Sequence, residues 1–88
     1  MHAVVVRVTI KDVEAANAHL RNVVVPNASQ APGFVAGYWT RKGSEEGLSM
    51  IVYESEDQAR AVSERIPSMA PEFVTLDSVE VREVAAHA

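Results

Sequence analysis

FVAGYWTRKGSEEGLSMIVYE, residues 34–54, decides the fold. Phe34–Arg41 and Leu48–Glu54 are rich in β-branched and aromatic side chains, and the polar, glycine-bounded segment Lys42–Gly47 between them reads as a hairpin loop. The two strands are therefore antiparallel neighbours. Upstream, Ala3–Ile10 (AVVVRVTI) is a third strand, with Val4, Val6, Val8 and Ile10 on one face and the mixed set Ala3, Val5, Arg7 and Thr9 on the other. Asp12 then opens a helix as its N-cap. Val13, Ala16, Leu20, Val23 and Val24 recur at helical spacing, and Glu14 and Arg21 suit the helix dipole. Val25 before Pro26 predicts an end or a kink, with Pro26 starting a short second helix through Gln30, and Ala31-Pro32-Gly33 is a break.

Downstream, Ser55 and Gln58 form a capping box. Ala59, Val62 and Ile66 make one helical face, while Glu56, Asp57, Arg60, Glu64 and Arg65 are expected in water, and Pro67 is expected to stop the helix. A last strand runs over Val79–Val84, extendable back to about Phe73, and Ala85–Ala88 reads as a frayed tail.

The order is β-α-β-β-α-β. Right-handed crossovers put both helices on one face of a four-stranded antiparallel sheet of order 4-1-3-2. The fold class is α+β, a ferredoxin-like split βαβ, in a single domain spanning residues 1–88. The helix-covered face is expected to take Val4, Val6, Val8 and Ile10 with Leu48, Met50 and Val52. The open face then carries Val5, Arg7, Thr9, Ser49, Ile51 and Tyr53. To these the hairpin adds either Phe34, Ala36 and Tyr38 or Val35, Gly37 and Trp39, since a slip of one residue exchanges the sets. Either open face is too apolar for bare water. The expected remedy is a homodimer formed through that face, around a cavity or packed shut.

Composition narrows function. With 48% hydrophobic and 23% charged residues the chain is globular rather than disordered. It has no cysteine, which removes disulfides, thiolate metal sites and cysteine nucleophiles. A net charge of −4 argues against nucleic acid or an anionic membrane as partner. No apolar run reaches 18 residues, and Met1–Ile10 carries Arg7 without a cleavage pattern, so the expected location is the cytoplasm. Nucleotide, phosphate and zinc-protease motifs are absent. His2 starts the first strand and His87 follows the last, its antiparallel neighbour; two histidines without a third ligand make a weak site, and no metal or cofactor is expected. Glu45 and Glu46 point apart in a turn and make no catalytic pair.

Ala31-Pro32-Gly33-Phe34 before the second strand, Gly37 three residues later, and Tyr53-Glu54-Ser55 running into a helix are similar to patterns of the dimeric α/β-barrel superfamily. Within it the chain resembles the antibiotic-biosynthesis-monooxygenase-like proteins. That resemblance implies a homodimer whose sheets close into a barrel. Some members are cofactor-free monooxygenases of aromatic polyketides, some degrade haem, and many small ones have no known activity. The haem branch carries a Trp where Tyr53 stands, an Asn in the first strand and a His on the second helix. Residues 3–10 contain no Asn and Ser55–Ile66 contains no His, so the haem reading falls away.

The resemblance and the open-face assignment together select Arg7, Phe34, Tyr38, Trp39, Ile51 and Tyr53 as candidates to line a ligand pocket. Arg7 is either a cationic anchor for an anionic ligand or the partner of an acid such as Glu80 or Glu54. Tyr38 and Tyr53 are either hydrogen-bond donors to a substrate carbonyl or amphipathic interface residues, and Trp39 is a stacking platform or plain core. Two functions follow. One is a dimeric protein binding a small, partly aromatic ligand, with monooxygenase-like chemistry if it is an enzyme. The other is a non-catalytic dimerisation or ligand-binding module.

Overall fold

A computed structural model describes Met1–Ala88. Strand β1 (His2–Ile10) leads to helix α1 (Val13–His19), a π-helical turn (Leu20–Val24) and helix α2 (Val25–Gln30). Strands β2 (Phe34–Lys42) and β3 (Glu46–Tyr53) form the hairpin, followed by helix α3 (Glu56–Met69) and strand β4 (Val74–Glu83). The sheet order is β2-β3-β1-β4, antiparallel throughout, with both helical arms on one face. This is the ferredoxin-like α+β arrangement. No helix is long and apolar enough to cross a membrane.

The caps act as their residue types dictate. The Asp12 carboxylate accepts the Ala15 N–H at 3.1 Å, and Ser55 and Gln58 complete a reciprocal capping box. Gly43, at φ 64°, turns a loop of only Gly43–Glu45, so both hairpin strands are longer than expected.

The short second helix expected from Pro26 through Gln30 is present as α2, and a π-turn leads into it. The Pro26 ring would meet the Asn22 carbonyl in a regular α-helix, and the wider turn relieves the clash. Val25 there donates its N–H to Leu20, five residues back. One helix boundary departs from expectation: Pro67 does not stop α3. Only two helical residues follow it, so few ladder bonds are lost.

The register corrects the face assignment of β3. Val4 pairs with Ile51, Val6 with Ser49 and His2 with Tyr53, so Ser49, Ile51 and Tyr53 lie on the helix-covered face. Leu48, Met50 and Val52 lie on the open face, opposite Arg7, Val5 and Ala3. The two alternate sets of β3 are about equally apolar, and only pairing with β1 distinguishes them. A bulge between Phe34 and Ala36 divides β2 as well. Phe34, Gly37 and Trp39 pair with Tyr53, Ile51 and Ser49 on the helix side, whereas Ala36 and Tyr38 pair with Val52 and Met50 on the open side.

The core lies between sheet and helices. Val4, Val6, Ala28, Ile51, Tyr53 and Ala59 form it, with Val4, Tyr53 and Ala59 fully buried. It is thin. The accessible surface is 5669 Å², where a folded monomer of this size is expected to expose roughly 5,000 Å².

Candidate functional site

The excess surface has two sources, one on each side of the sheet. On the helix side the two arms stand apart and leave a cleft of about 940 Å³. Its floor is the sheet face carrying Val6, Val8, Trp39, Ser49 and Ile51, and its walls include Leu20 and Val24 of the π-turn and Val62 and Ile66 of α3. This is the volume of a small-molecule site, mostly apolar with a few polar groups at fixed places.

Tyr53 closes the floor at one end. Its ring is fully buried and meets Phe34 edge-on at 6.1 Å, and its hydroxyl donates to the Ala28 carbonyl at 3.2 Å. Burial raises its pKa above the ordinary value, and the nearby Arg65 charge opposes that rise. The phenol therefore stays protonated, and its one donor fastens α2 to the sheet. Trp39 lies across Gly37: a Cβ built on Gly37 would sit 2.6 Å and 2.8 Å from two indole carbons. Glycine at 37 makes room for the ring at the cleft floor.

The polar groups of the cleft come from several elements. Arg41 near the end of β2 donates to Oδ1 of Asn17 on α1 at 2.9 Å. Arg65 stands on α3, and His19 closes α1 with its ring edge-on to Phe73 at 5.6 Å. Ser49 contributes a half-buried hydroxyl to the floor. No aspartate or glutamate lines the cleft.

The six residues selected from sequence thus divide. Trp39, Ile51 and Tyr53 line the cleft, and Phe34 packs beside it. Arg7 and Tyr38 lie on the opposite face, both exposed; Arg7 forms no ion pair, and Glu80 pairs with Arg82 at 3.0 Å. Arg7 and Tyr53 therefore do not share a pocket. Asn17, Arg41, Ser49 and Arg65 were missed. Arg41 is two residues from Trp39 on a regular strand, and Arg65 borders Ile66 on the apolar stripe of α3, so both carried a positional signal. His19 is half-buried. His2 stands 4.0 Å from Glu56, and His87 lies beyond the end of β4 at Glu83.

The second source is the open face. Tyr38 is 66% exposed, Met50 46% and Leu48 38%, and Val35 at the bulge is 46% exposed. Ala3 and Val5, on the central strand, are buried between their neighbours. The result is an apolar patch bordered by Arg7 and by the Glu80–Arg82 pair.

Solved structures share this fold, MupZ among them. MupZ from Pseudomonas fluorescens superposes with a TM-score of 0.72 at 19% sequence identity, over 91% of this chain and 65% of MupZ. The likeness extends to the fold, and this chain spans less than two thirds of that protein's length. No family model matches the chain, and no curated protein matches it.

Proposed function

We propose that the protein is a homodimer of the antibiotic-biosynthesis-monooxygenase-like kind that binds a small, partly aromatic molecule in the helix-side cleft of each protomer. One observation carries the reading: an apolar cleft of about 940 Å³, floored by Trp39 and Ile51, in a chain whose own core is thin. The ligand site is thus assigned to the space between sheet and helices rather than to the open face. Dimerisation is assigned to the open face, where Tyr38, Leu48 and Met50 form the apolar patch. In a monooxygenase of that kind the anion derived from the substrate, not the protein, activates oxygen. The protein's part is to hold that anion and keep water away.

A second reading, binding without catalysis, is favoured by the state of Tyr53. Its hydroxyl is committed to Ala28, so it has no proton to offer a substrate carbonyl.

The test uses Trp39, the only tryptophan, which lines the cleft. Titration with N-phenylnaphthylamine, a neutral aromatic probe, should give saturable energy transfer from Trp39 at one probe per protomer. Ser49→Phe, which fills the floor, should weaken it. Near-UV circular dichroism should stay native-like during the titration, separating site binding from the probe's affinity for loosened states. Absence of saturable binding would overturn the cleft assignment.

A further inference from the structure

The charges of the cleft are one-sided. The chain has 12 acidic and 8 basic residues, yet the side chains lining the cleft include Arg41, Arg65 and His19 and no carboxylate. Chance placement in a chain of net charge −4 favours the opposite sign. Nor are these arginines neutralised within the protein. The ion pairs join His2 with Glu56, Arg60 with Glu56 and Arg82 with Glu80, and none includes Arg41 or Arg65.

Arg41 is also held in place. Asn17 Oδ1 takes one of its five N–H donors at 2.9 Å, tying the guanidinium across from β2 to α1. The other four donors have no acceptor in the protein. A planar guanidinium held by one neutral bond at the exposed rim of an apolar cleft, with no carboxylate beside it, suits the planar, bidentate geometry of a carboxylate or the oxygen of a phenolate or enolate. A purely structural arginine at a strand end would be served as well by any of the 12 acidic residues, and none is there. The field of Arg65 extends to the cleft floor as well, where it acts on the Tyr53 hydroxyl.

We infer that the molecule bound in the cleft is an organic anion, an apolar ring-bearing body with a carboxylate, phenolate or enolate head, and that Arg41, steadied by Asn17, receives that head. The inference rests on the cleft being a small-molecule site and specifies the chemistry of its occupant.

Two probes with one aromatic body separate the two claims. Anilinonaphthalenesulfonate carries an anionic group that N-phenylnaphthylamine lacks, and both accept energy from Trp39. The anion should bind the full-length protein more tightly than the neutral probe, and added salt should narrow the gap. Arg41→Gln should weaken the anionic probe about tenfold and abolish the preference. Arg82→Gln makes the same charge change on the other face, where Glu80 holds the side chain, and should leave the preference intact. Equal affinity for the two probes would overturn the anion inference while the cleft assignment stands. A preference that survives Arg41→Gln would overturn the role of Arg41. Binding of neither probe would overturn both claims.

Discussion

Gly37→Ala tests whether the indole of Trp39 rests where the cleft requires it. A methyl at 37 would stand 2.6 Å and 2.8 Å from two ring carbons, so the ring has to retreat by about 0.8 Å to reach ordinary contact at 3.4 Å. Two effects oppose each other. Alanine restricts the unfolded chain more than glycine does, which stabilises by about 0.4–1 kcal/mol where the backbone is compatible. Gly37 has no positive φ, so it is compatible. Overpacking costs about 1–3 kcal/mol. The indole is anchored on the sheet side but faces the cleft, so it can yield, which places the cost at the lower end. The net expectation is destabilisation of about 0.5–1.5 kcal/mol, a fall in Tm of roughly 2–12 °C for a domain of this size. The displaced ring also enters cleft volume, so the neutral probe should bind more weakly and Trp39 emission should shift. Thermal melts followed by far-UV circular dichroism, together with the emission spectrum, measure both. A higher Tm with unchanged emission and unchanged probe affinity would mean that the indole does not lie over residue 37.

Three further outcomes follow from named contacts. Tyr53→Phe keeps the ring and removes the hydroxyl that fastens Ala28, and should cost about 1 kcal/mol in chemical denaturation. The folded-state pKa of Tyr53 is raised, so the stability tied to its protonated form is present below the ordinary value of 10 and is lost as pH climbs from there through the folded value. The wild type should therefore lose more stability than Tyr53→Phe between pH ~9 and ~11. Ser55→Ala removes half of the capping box and should cost about 1 kcal/mol, with little effect on probe binding. Tyr38→Asp combined with Met50→Lys charges the open face and should turn a dimer into a monomer by light scattering without loss of fold. An unchanged mass would move the interface elsewhere.

Legibility in the sequence followed the range of each signal. The hairpin, both N-caps, the break at Ala31-Pro32-Gly33 and the strand order rest on local chemistry or on chirality, and the structure has them all. The faces of β3 were not legible. Leu48, Met50 and Val52 look as core-like as Ser49, Ile51 and Tyr53, and the choice depends on a pairing 40 to 50 residues distant in sequence. The bulge at Val35 likewise separates Phe34 from Tyr38, and the glycines near it, Gly33 and Gly37, do not stand at the bulged position. Pro26 signalled the short helix through Gln30, but not the π-turn that joins it to the first helix. The cleft was least legible because it is a space between elements. Arg65 is exposed, as its place on the helix suggested; what the sequence did not show is that Arg65 and Arg41 border one space.

The pattern of burial explains why such a space exists in so small a domain. Where the helical arms touch the sheet side most closely, the buried residues are Ala16, Ala28 and Ala59. Larger side chains on the same surfaces, among them Val8, Leu20, Val24, Val62 and Ile66, stay half-buried along the cleft. The chain thus leaves unburied much of the apolar surface from which a domain of this size draws its stability. A ligand that fills the cleft supplies the missing contacts to the folded state alone. Bound at a hundred times its Kd, it stabilises by about 2.7 kcal/mol. That corresponds to a rise in Tm of roughly 10–20 °C for a domain of this size. Thermal scans with increasing N-phenylnaphthylamine should therefore climb logarithmically with free probe above saturation. Saturable fluorescence without that climb would place the probe on a surface the unfolded chain offers equally well, and the cleft would not be its site.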